Sequence, residues 1–385
     1  MKKDLVKLRF LVKKKKKSVL NRIIDFFSRS SYTAYLVGGF VRDTIMGETT
    51  KDIDISVQGD AIKAGYSLNS VLKGKAEIHK QFGTISICKD NMRIDLATTR
   101  KETYPYPGAL PKITQSNIYE DLKRRDFSVN AIALCISKNN LGKIFDPFDG
   151  IGDIRRRLIR VLHNNSFIDD PTRILRALRY KNRLKFKLEA STESLLREAV
   201  SKRMLEKISK QRLMNELKLI FAEKDYLDIL NDLKHYRIFT FNKRYLKNIN
   251  AMEDLKYYYF LCLIGTKNFP LSNQEKKIVK DLNKLTTLGR LVRNARNNAT
   301  LYFTLSVIDD KVVKIIPKVY PELKQKIRQY NSLKKNKPFI DGKDLQKLNI
   351  KPGPRFKEIL TRMYKLQLNG KIKSKKMALT FLKNG

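Results

Sequence analysis

The sequence predicts an α+β chain: an N-terminal head built on a mixed sheet, followed by an all-helical neck, body and tail. Two observations carry this. Strand-like segments crowd into the residues before about 155, where they alternate with helical stretches. Beyond that point apolar residues recur at helical spacing and no convincing strand is found.

The elements follow in order. Residues 1–17 hold nine Lys or Arg and read as a basic arm or a solvated terminus. Charges interrupt every apolar run there, which makes a poor signal peptide. Residues 18–30 have helical spacing, with Ser18 as a cap. A short strand is expected at 35–37, then a Gly38-Gly39 turn into a helix over 41–46. Residues 52–57 read as a strand, 59–72 as a helix, and 76–80, 84–88 and 93–97 as further strands. Residues 101–117 contain three prolines, a glycine and two tyrosines, which is loop chemistry. Residues 118–136 return to regular structure, and 146–152 form a turn-rich loop. The remaining helices break near 241–250, 269–272 and 331–342. The expected organisation is an arm (1–17), a head (18–154), a neck (155–225), a body (226–330) and a tail (331–385). No internal repeat is visible.

Residues 36–54 are the most informative. In a strand, side chains alternate between faces, so Asp52 and Asp54 share one face while Ile53 and Ile55 pack behind them. Two hard oxygen ligands side by side suit Mg²⁺, which keeps several waters and shares substrate phosphates. Gly38 and Gly39 let the backbone approach a phosphate, and Arg42 adds a planar cation for the same group. No Gly-Lys-Ser/Thr follows the glycines, so this is not a Walker-type loop. The combination points to metal-assisted transfer of a nucleotide. Asp95 lies between apolar neighbours like Asp54 and would supply a third carboxylate to a two-metal site, unless it is an ordinary paired Asp.

Lys and Arg total 81 against 38 Asp and Glu, a formal net charge of +43. A surplus of that size calls for a polyanionic partner, with nucleic acid foremost and strongly salt-dependent binding expected. The bland alternative, a lysine-enriching genome or a thermophilic habit, would raise Lys content but would leave the shortage of acids unexplained. Three scattered cysteines form no CxxC pair and fit a reducing, cytoplasmic compartment; three scattered histidines make a His-based metal site improbable. No run of eighteen apolar residues exists to span a membrane.

A helix opens near Asp170-Pro171-Thr172-Arg173, with Arg176 and Arg179 continuing the row and Ile174, Leu175 and Leu178 on the opposite side. Asp170 and Arg173 are three apart and so neighbours on a helix surface. The ordinary reading is a weak surface ion pair. The chemical one is base recognition. Cytosine and adenine each present an amino donor beside a ring acceptor, which a fixed carboxylate and guanidinium complement. Guanine and uracil reverse the pattern, and each mismatched buried polar group costs about 1–3 kcal/mol.

Taken together, these motifs resemble the class II tRNA nucleotidyltransferase and bacterial poly(A) polymerase family. The matching pieces are Gly38-Gly39-Phe-Val-Arg42-Asp43, Asp52-Ile-Asp54, Arg124-Arg125-Asp126-Phe-Ser-Val-Asn130, Asp146-Pro-Phe-Asp149-Gly150, Asp170-Pro-Thr-Arg173-Ile-Leu-Arg176-Ala-Leu-Arg179-Tyr and Ile208-Ser-Lys-Gln-Arg212-Leu-Met-Asn-Glu216. They occur in the family's order over residues 35–221, and the stretch from Asp341 to Gln367 looks like the tail of bacterial members. The resemblance implies a polymerase-beta-like head in which Asp52 and Asp54 bind Mg²⁺ and Gly38, Gly39 and Arg42 meet the triphosphate. It implies that Arg125, with Asp126 and Asn130 of the same motif, meets the nucleotide, and that Asp170 and Arg173 read the base with Arg176 and Arg179 assisting. The segment around Arg212 and Glu216 would brace the preceding helices. ATP and CTP are the implied substrates, and the tRNA 3′ end with its acceptor and T-arm region is the implied partner, bound in part by the tail (331–385); no protein partner is evident.

Within the family, His79-Lys-Gln-Phe-Gly83-Thr84 stands where the poly(A) polymerase branch has a Leu-Gly-Arg-Arg-Phe-like run, and so looks like the tRNA branch. Arg100 and Arg124 are separated by 23 residues, a loop that is not shortened as in CC-adding enzymes, which implies competence to add A. Complete CCA addition and A addition alone both stay open, with poly(A) polymerase behind them. A catalytically silent RNA-binding protein is the reading outside enzymes. No HD-type phosphohydrolase motif is visible.

Overall fold

The computed structural model describes residues 14–48, 52–241, 246, 248–265 and 269–383. The chain divides after Ile238 into two compact units. Most of the basic arm lies outside the described residues. The first helix, α1 (Lys14–Arg29), begins four residues before the expected start, which places Ser18 inside it.

The first unit is organised by a seven-stranded sheet. Its strands are β1 (Thr33–Val37), β2 (Asp52–Gln58), β3 (Lys75–His79), β4 (Thr84–Lys89), β5 (Met92–Thr98), β8 (Ala133–Cys135) and β9 (Ile144–Phe145), in the spatial order β3-β4-β5-β2-β1-β8-β9. Only the central β2–β5 pair is parallel, with Asp54 opposite Asp95. The strands alternate as a half-covered sheet demands: Ile53, Ile55 and Val57 of β2 and Ile94 and Leu96 of β5 are buried. Two helices join these strands, α2 (Gly39–Met46) after β1 and α3 (Ala61–Leu72) after β2. Asp60 caps α3 by accepting the Lys63 amide at 2.9 Å.

The expected loop at 101–117 is a correction. Its flanks form an antiparallel hairpin, β6 (Arg100–Thr103) with β7 (Lys112–Gln115), and only the Pro-rich centre is a turn. Helix α4 (Ile118–Lys123) follows, capped by Asn117. A second correction lies beyond residue 155, where β10 (Leu158–Ile159) pairs in parallel with β11 (Lys187–Leu188). Two residues per strand carry no periodicity to read. The helix α5 (Gly150–Arg156) precedes β10, and α6 (Ser166–Asp169), α7 (Thr172–Leu184), α8 (Ala190–Ser201), α9 (Lys210–Ala222) and α10 (Tyr226–His235) form the helical remainder of the unit.

The second unit is helical throughout its described residues. Helices over Asn273–Asn283 and Gly342–Lys347 each open on a capping box, Ser272 with Glu275 and Asp341 with Asp344. Gln367, in the helix Pro354–Leu368, accepts the Phe339 amide and donates to the Lys337 carbonyl, each at 2.8 Å, which fixes the 334–341 connection. Among the described residues, no helix is long and apolar enough to cross a membrane.

The packing of α3 on the sheet depends on Gly65. A Cβ there would lie 2.3 Å from Ile85 Cγ2, so the helix must shift or Ile85 must yield. Overpacking costs about 1–3 kcal/mol, against about 1 kcal/mol gained in helix propensity. Gly65→Ala is therefore expected to lower stability in urea unfolding, and to do so no longer in an Ile85→Ala background, where the obstructing atoms are gone.

Candidate nucleotide-binding active site

β1 delivers the chain to Gly38 beside the carboxylates of β2. Gly38 has φ +67°, a conformation that favours glycine, and a Cβ there would lie 2.8 Å from Arg125 Nη1 and 3.7 Å from Asp54 Oδ2. The turn therefore brings bare backbone up to both groups. It opens α2, whose first-turn amides face a cavity of about 600 Å³ lined by Gly38, Gly39, Asp54 and Asp95 among others. A helix N-terminus with free amides is suited to phosphate.

Asp52 and Asp54 lie on one face of β2. Their side chains have no hydrogen-bonding partner among the described residues, in contrast to Asp95. Asp95 accepts from Arg93 Nε at 2.9 and 3.0 Å and from Ser86 Oγ, whose hydroxyl also accepts from Arg93 Nη2 at 3.2 Å. Burial pushes the Asp54 carboxyl above the ordinary range; Arg125 pulls it down, while Asp95 and Asp52 push it further up. A group so placed gains from a cation. Among the described residues, no three His, Cys, Asp or Glu side chains converge to enclose a metal by themselves. Two free carboxylates with phosphate and water completing the shell is the arrangement Mg²⁺ accepts, so the donor set fits that ion.

The arginines of the site are held by buried acids. Asp121, fully buried, accepts from Arg124 Nη2 at 2.8 Å and Arg125 Nη2 at 3.1 Å. Burial opposes its ionisation, but Arg125 and Arg124 outweigh this and hold it below the usual range. Asp126 accepts from Arg176 Nη2 at 2.6 Å and from Asn130 Nδ2 at 3.0 Å. Burial opposes its charge too, yet Arg176 and Asn130 draw the carboxyl down to about 2.

Several expected site residues stand elsewhere than the sequence implied. Asp170 and Arg173 both line the cavity but do not pair as helix neighbours. Pro171 forces the residue before it out of helical geometry, so Asp170 is extended (φ −131°, ψ 92°). Its carboxylate accepts the Thr172 amide at 3.0 Å and Arg212 Nη2 at 2.7 Å. Arg173 donates instead to Ser166 Oγ at 2.7 Å and to the Arg124 carbonyl at 2.8 Å. Arg179 is buried outside the lining, 4.0 Å from carboxylate oxygens of Glu216 and Glu223. Arg42 is 1% exposed and lies beneath the glycine turn, where its guanidinium donates to Asp43 and Asn130. Gly39, Arg125, Asp126, Asn130 and Arg176 do line the cavity; Asp52 does not.

Sequence reading gave no role to Glu102, Tyr104 or Tyr180 here, and gave Arg212 only a bracing one. Glu102 accepts from Arg124 at 3.1 Å and from Arg100 at 2.8 Å, and Tyr104 donates to it at 3.1 Å. Burial pushes the Tyr104 phenol up to about 12, so it stays protonated at neutral pH. Arg212 joins Asp170 to the hairpin turn by donating to the Gly108 carbonyl at 2.7 Å. Tyr180 lines the cavity among guanidinium groups. Period-2 alternation in 100–103 and 112–115 was the available signal for Glu102; Arg212 and Tyr180 stand in motifs, but their contacts have no signal outside three dimensions.

A glycine turn at a helix N-terminus, paired strand carboxylates and a guanidinium-lined cavity define a head of the nucleotidyltransferase class. Comparison with known proteins agrees. Residues 34–160 match the family described as "Poly A polymerase head domain", and 185–249 match "Probable RNA and SrmB- binding site of polymerase A". An A-adding tRNA nucleotidyltransferase of Halalkalibacterium halodurans is 30% identical over 94% of this chain and 91% of its own length. One from Aquifex aeolicus is 33% identical over 85% of this chain, which spans only 44% of that protein. A Thermotoga maritima CCA-adding enzyme complexed with tRNA aligns with a TM-score of 0.68 at 26% identity, over 98% of this chain and 97% of its own. The chain belongs to the class II tRNA nucleotidyltransferase and poly(A) polymerase family, in its CCA-end branch.

The displaced Asp126 carboxyl makes stability depend on pH. Its shift from an ordinary value of about 3.9 to about 2 is worth about 2–3 kcal/mol. Because the folded value is depressed, that contribution is complete above the unfolded value and is lost as pH falls through the folded one. The stability gap between wild type and Asp126→Asn, measured by urea unfolding, should narrow by that amount between about pH 5 and about pH 1. A gap that does not change with pH counts against a buried, ionised Asp126.

Proposed function

We propose that the protein is a template-independent tRNA nucleotidyltransferase that completes the CCA 3′ end, adding A from ATP and, in the complete form of the activity, C from CTP. The observation that carries this is the free carboxylate of Asp54 beside the Gly38 turn, in one cavity with Asp170, Arg173 and Arg176, with Asp52 on the same face of β2 at the cavity's edge. Relatives 30% and 33% identical are named A-adding, and the intact hairpin between Arg100 and Arg124 supports the same choice.

In this reading the amides at Gly39 hold the triphosphate and Arg125 holds the nucleotide near Asp54. The 3′-hydroxyl oxygen of tRNA attacks the α-phosphorus in line; the new P–O bond forms as the bond to the α–β bridging oxygen breaks, pyrophosphate leaves with that oxygen, and the hydroxyl proton passes to solvent. Asp52 and Asp54 would hold Mg²⁺, which would lower the pKa of that hydroxyl and neutralise the leaving charge. Asp170, held by Arg212, accepts from an exocyclic amino group. Arg173 donates to the adjacent ring nitrogen after partial release from Ser166 or the Arg124 carbonyl. Purified protein is given ATP and CTP separately with tRNAs lacking one, two or all three nucleotides of the CCA end. Addition of A alone to the tRNA lacking only its last nucleotide is the expected result. Addition of both C and A identifies a complete enzyme, and long A tracts on arbitrary RNA defeat the tRNA assignment. Asp54→Ala should lose at least about a thousandfold in incorporation while retaining tRNA binding by filter retention; retained incorporation removes the metal assignment.

A further inference from the structure

Tyr180 stands in the cavity wall with four guanidinium carbons around its ring: Arg183 at 4.9 Å, Arg42 at 5.4 Å, Arg179 at 5.5 Å and Arg176 at 5.7 Å from the centroid. Within about 6 Å of the centroid a cation lying over a ring face is attracted to it. From the core side, Phe127 packs edge-on at 5.8 Å. The Tyr180 hydroxyl has no hydrogen-bonding partner among the described residues, so its polar end does not explain the site.

Two of those arginines close a circuit. Arg42, beneath the phosphate turn, donates to Asn130 Oδ1. Asn130 donates to Asp126 at 3.0 Å, and Asp126 accepts from Arg176 at 2.6 Å. Arg176 and Arg42 then both return to the Tyr180 ring. Arg42 belongs to α2, Asp126 and Asn130 to the segment after α4, and Arg176 and Tyr180 to α7. The ring is thus the single aromatic link in a loop joining the helix that presents phosphate-binding amides to the helix that follows the base-reading Asp170. Arg42 and Arg176 repel each other; Asp43 at 2.6 Å offsets the first and Asp126 and Glu216, at 2.6 and 3.5 Å, the second, and the π face is the surface that both guanidinium groups share.

We infer that Tyr180 is a positioning residue that sets the spacing between the triphosphate end and the base end of the nucleotide site, acting through Arg42 and Arg176. This rests on the proposed function. Its signature differs from that of a packing residue: loss of the ring face loosens ATP binding and base choice together and leaves the chemical step comparatively intact. Tyr180→Phe keeps the π face; Tyr180→Leu and Tyr180→Met keep apolar volume without it. Steady-state incorporation on tRNA lacking its last nucleotide is measured for ATP and GTP, with thermal unfolding of each variant and of Phe127→Leu as a packing control. Tyr180→Leu and Tyr180→Met should raise KM for ATP about tenfold and lower the ATP-to-GTP preference by a similar factor, with a smaller fall in kcat. Tyr180→Phe should stay within about twofold of wild type in both, and Phe127→Leu should lower Tm without changing the preference. The inference is overturned if Leu, Met and Phe behave alike, or if the preference changes only in step with Tm. Absence of incorporation by the wild type sinks the proposed function instead.

Discussion

Guanidinium groups crowded around one cavity repel each other, and the first unit is built around that constraint. Each arginine that borders the cavity is fixed by an acid or carbonyl behind it. Asp121 secures Arg124 and Arg125, Asp126 secures Arg176, and Asp170 secures Arg212. Removing one partner of such a pair leaves a desolvated charge, a cost of about 3–5 kcal/mol when burial is complete. The pairs are therefore hard to dissociate in the folded state, and the arginines are held in orientation before any ligand arrives. That is what a site acting by position and electrostatics needs.

The sheet sets where this network meets the carboxylates. Because β2 and β5 run parallel with Asp54 opposite Asp95, the two acids stand side by side at one height. Antiparallel pairing of β1 with β2 brings the end of β1 to the same place, so the Gly38 turn arrives over Asp54 without a long loop. Asp95 is then neutralised locally by Arg93, which leaves Asp52 and Asp54 as the pair without internal partners. The geometry separates two jobs that the sequence presents as three similar carboxylates.

Much of this was legible because short-range periodicity carries it. The shared face of Asp52 and Asp54, the burial of Ile53 and Ile55, the Gly38 turn and the burial of Ile174, Leu175 and Leu178 all follow from spacing alone. What was not legible depends on partners distant in the chain. Arg42 reads as a phosphate ligand until Asn130, 88 residues later, is seen to take its guanidinium. Asp170 reads as the partner of Arg173 until Arg212, 42 residues later, claims it. The hairpin at 100–115 was hidden because its prolines dominate a segment whose flanks are only four residues each.

The local charge of the cavity argues against reading the whole-chain surplus of +43 as the means of holding the triphosphate. Five arginines and no lysine line the cavity, together with six Asp or Glu side chains. At near parity, and with most of those arginines already paired, the cavity offers a tetra-anionic nucleotide backbone amides and little net positive charge. Amides at one helix terminus supply about half an elementary charge, far short of the requirement. In the proposed function the balance would arrive with the nucleotide, as divalent cations that Asp52 and Asp54 would share. The surplus of lysine and arginine across the chain then acts at longer range. Its field draws in and retains a large polyanion, over distances at which the site's own paired charges cancel.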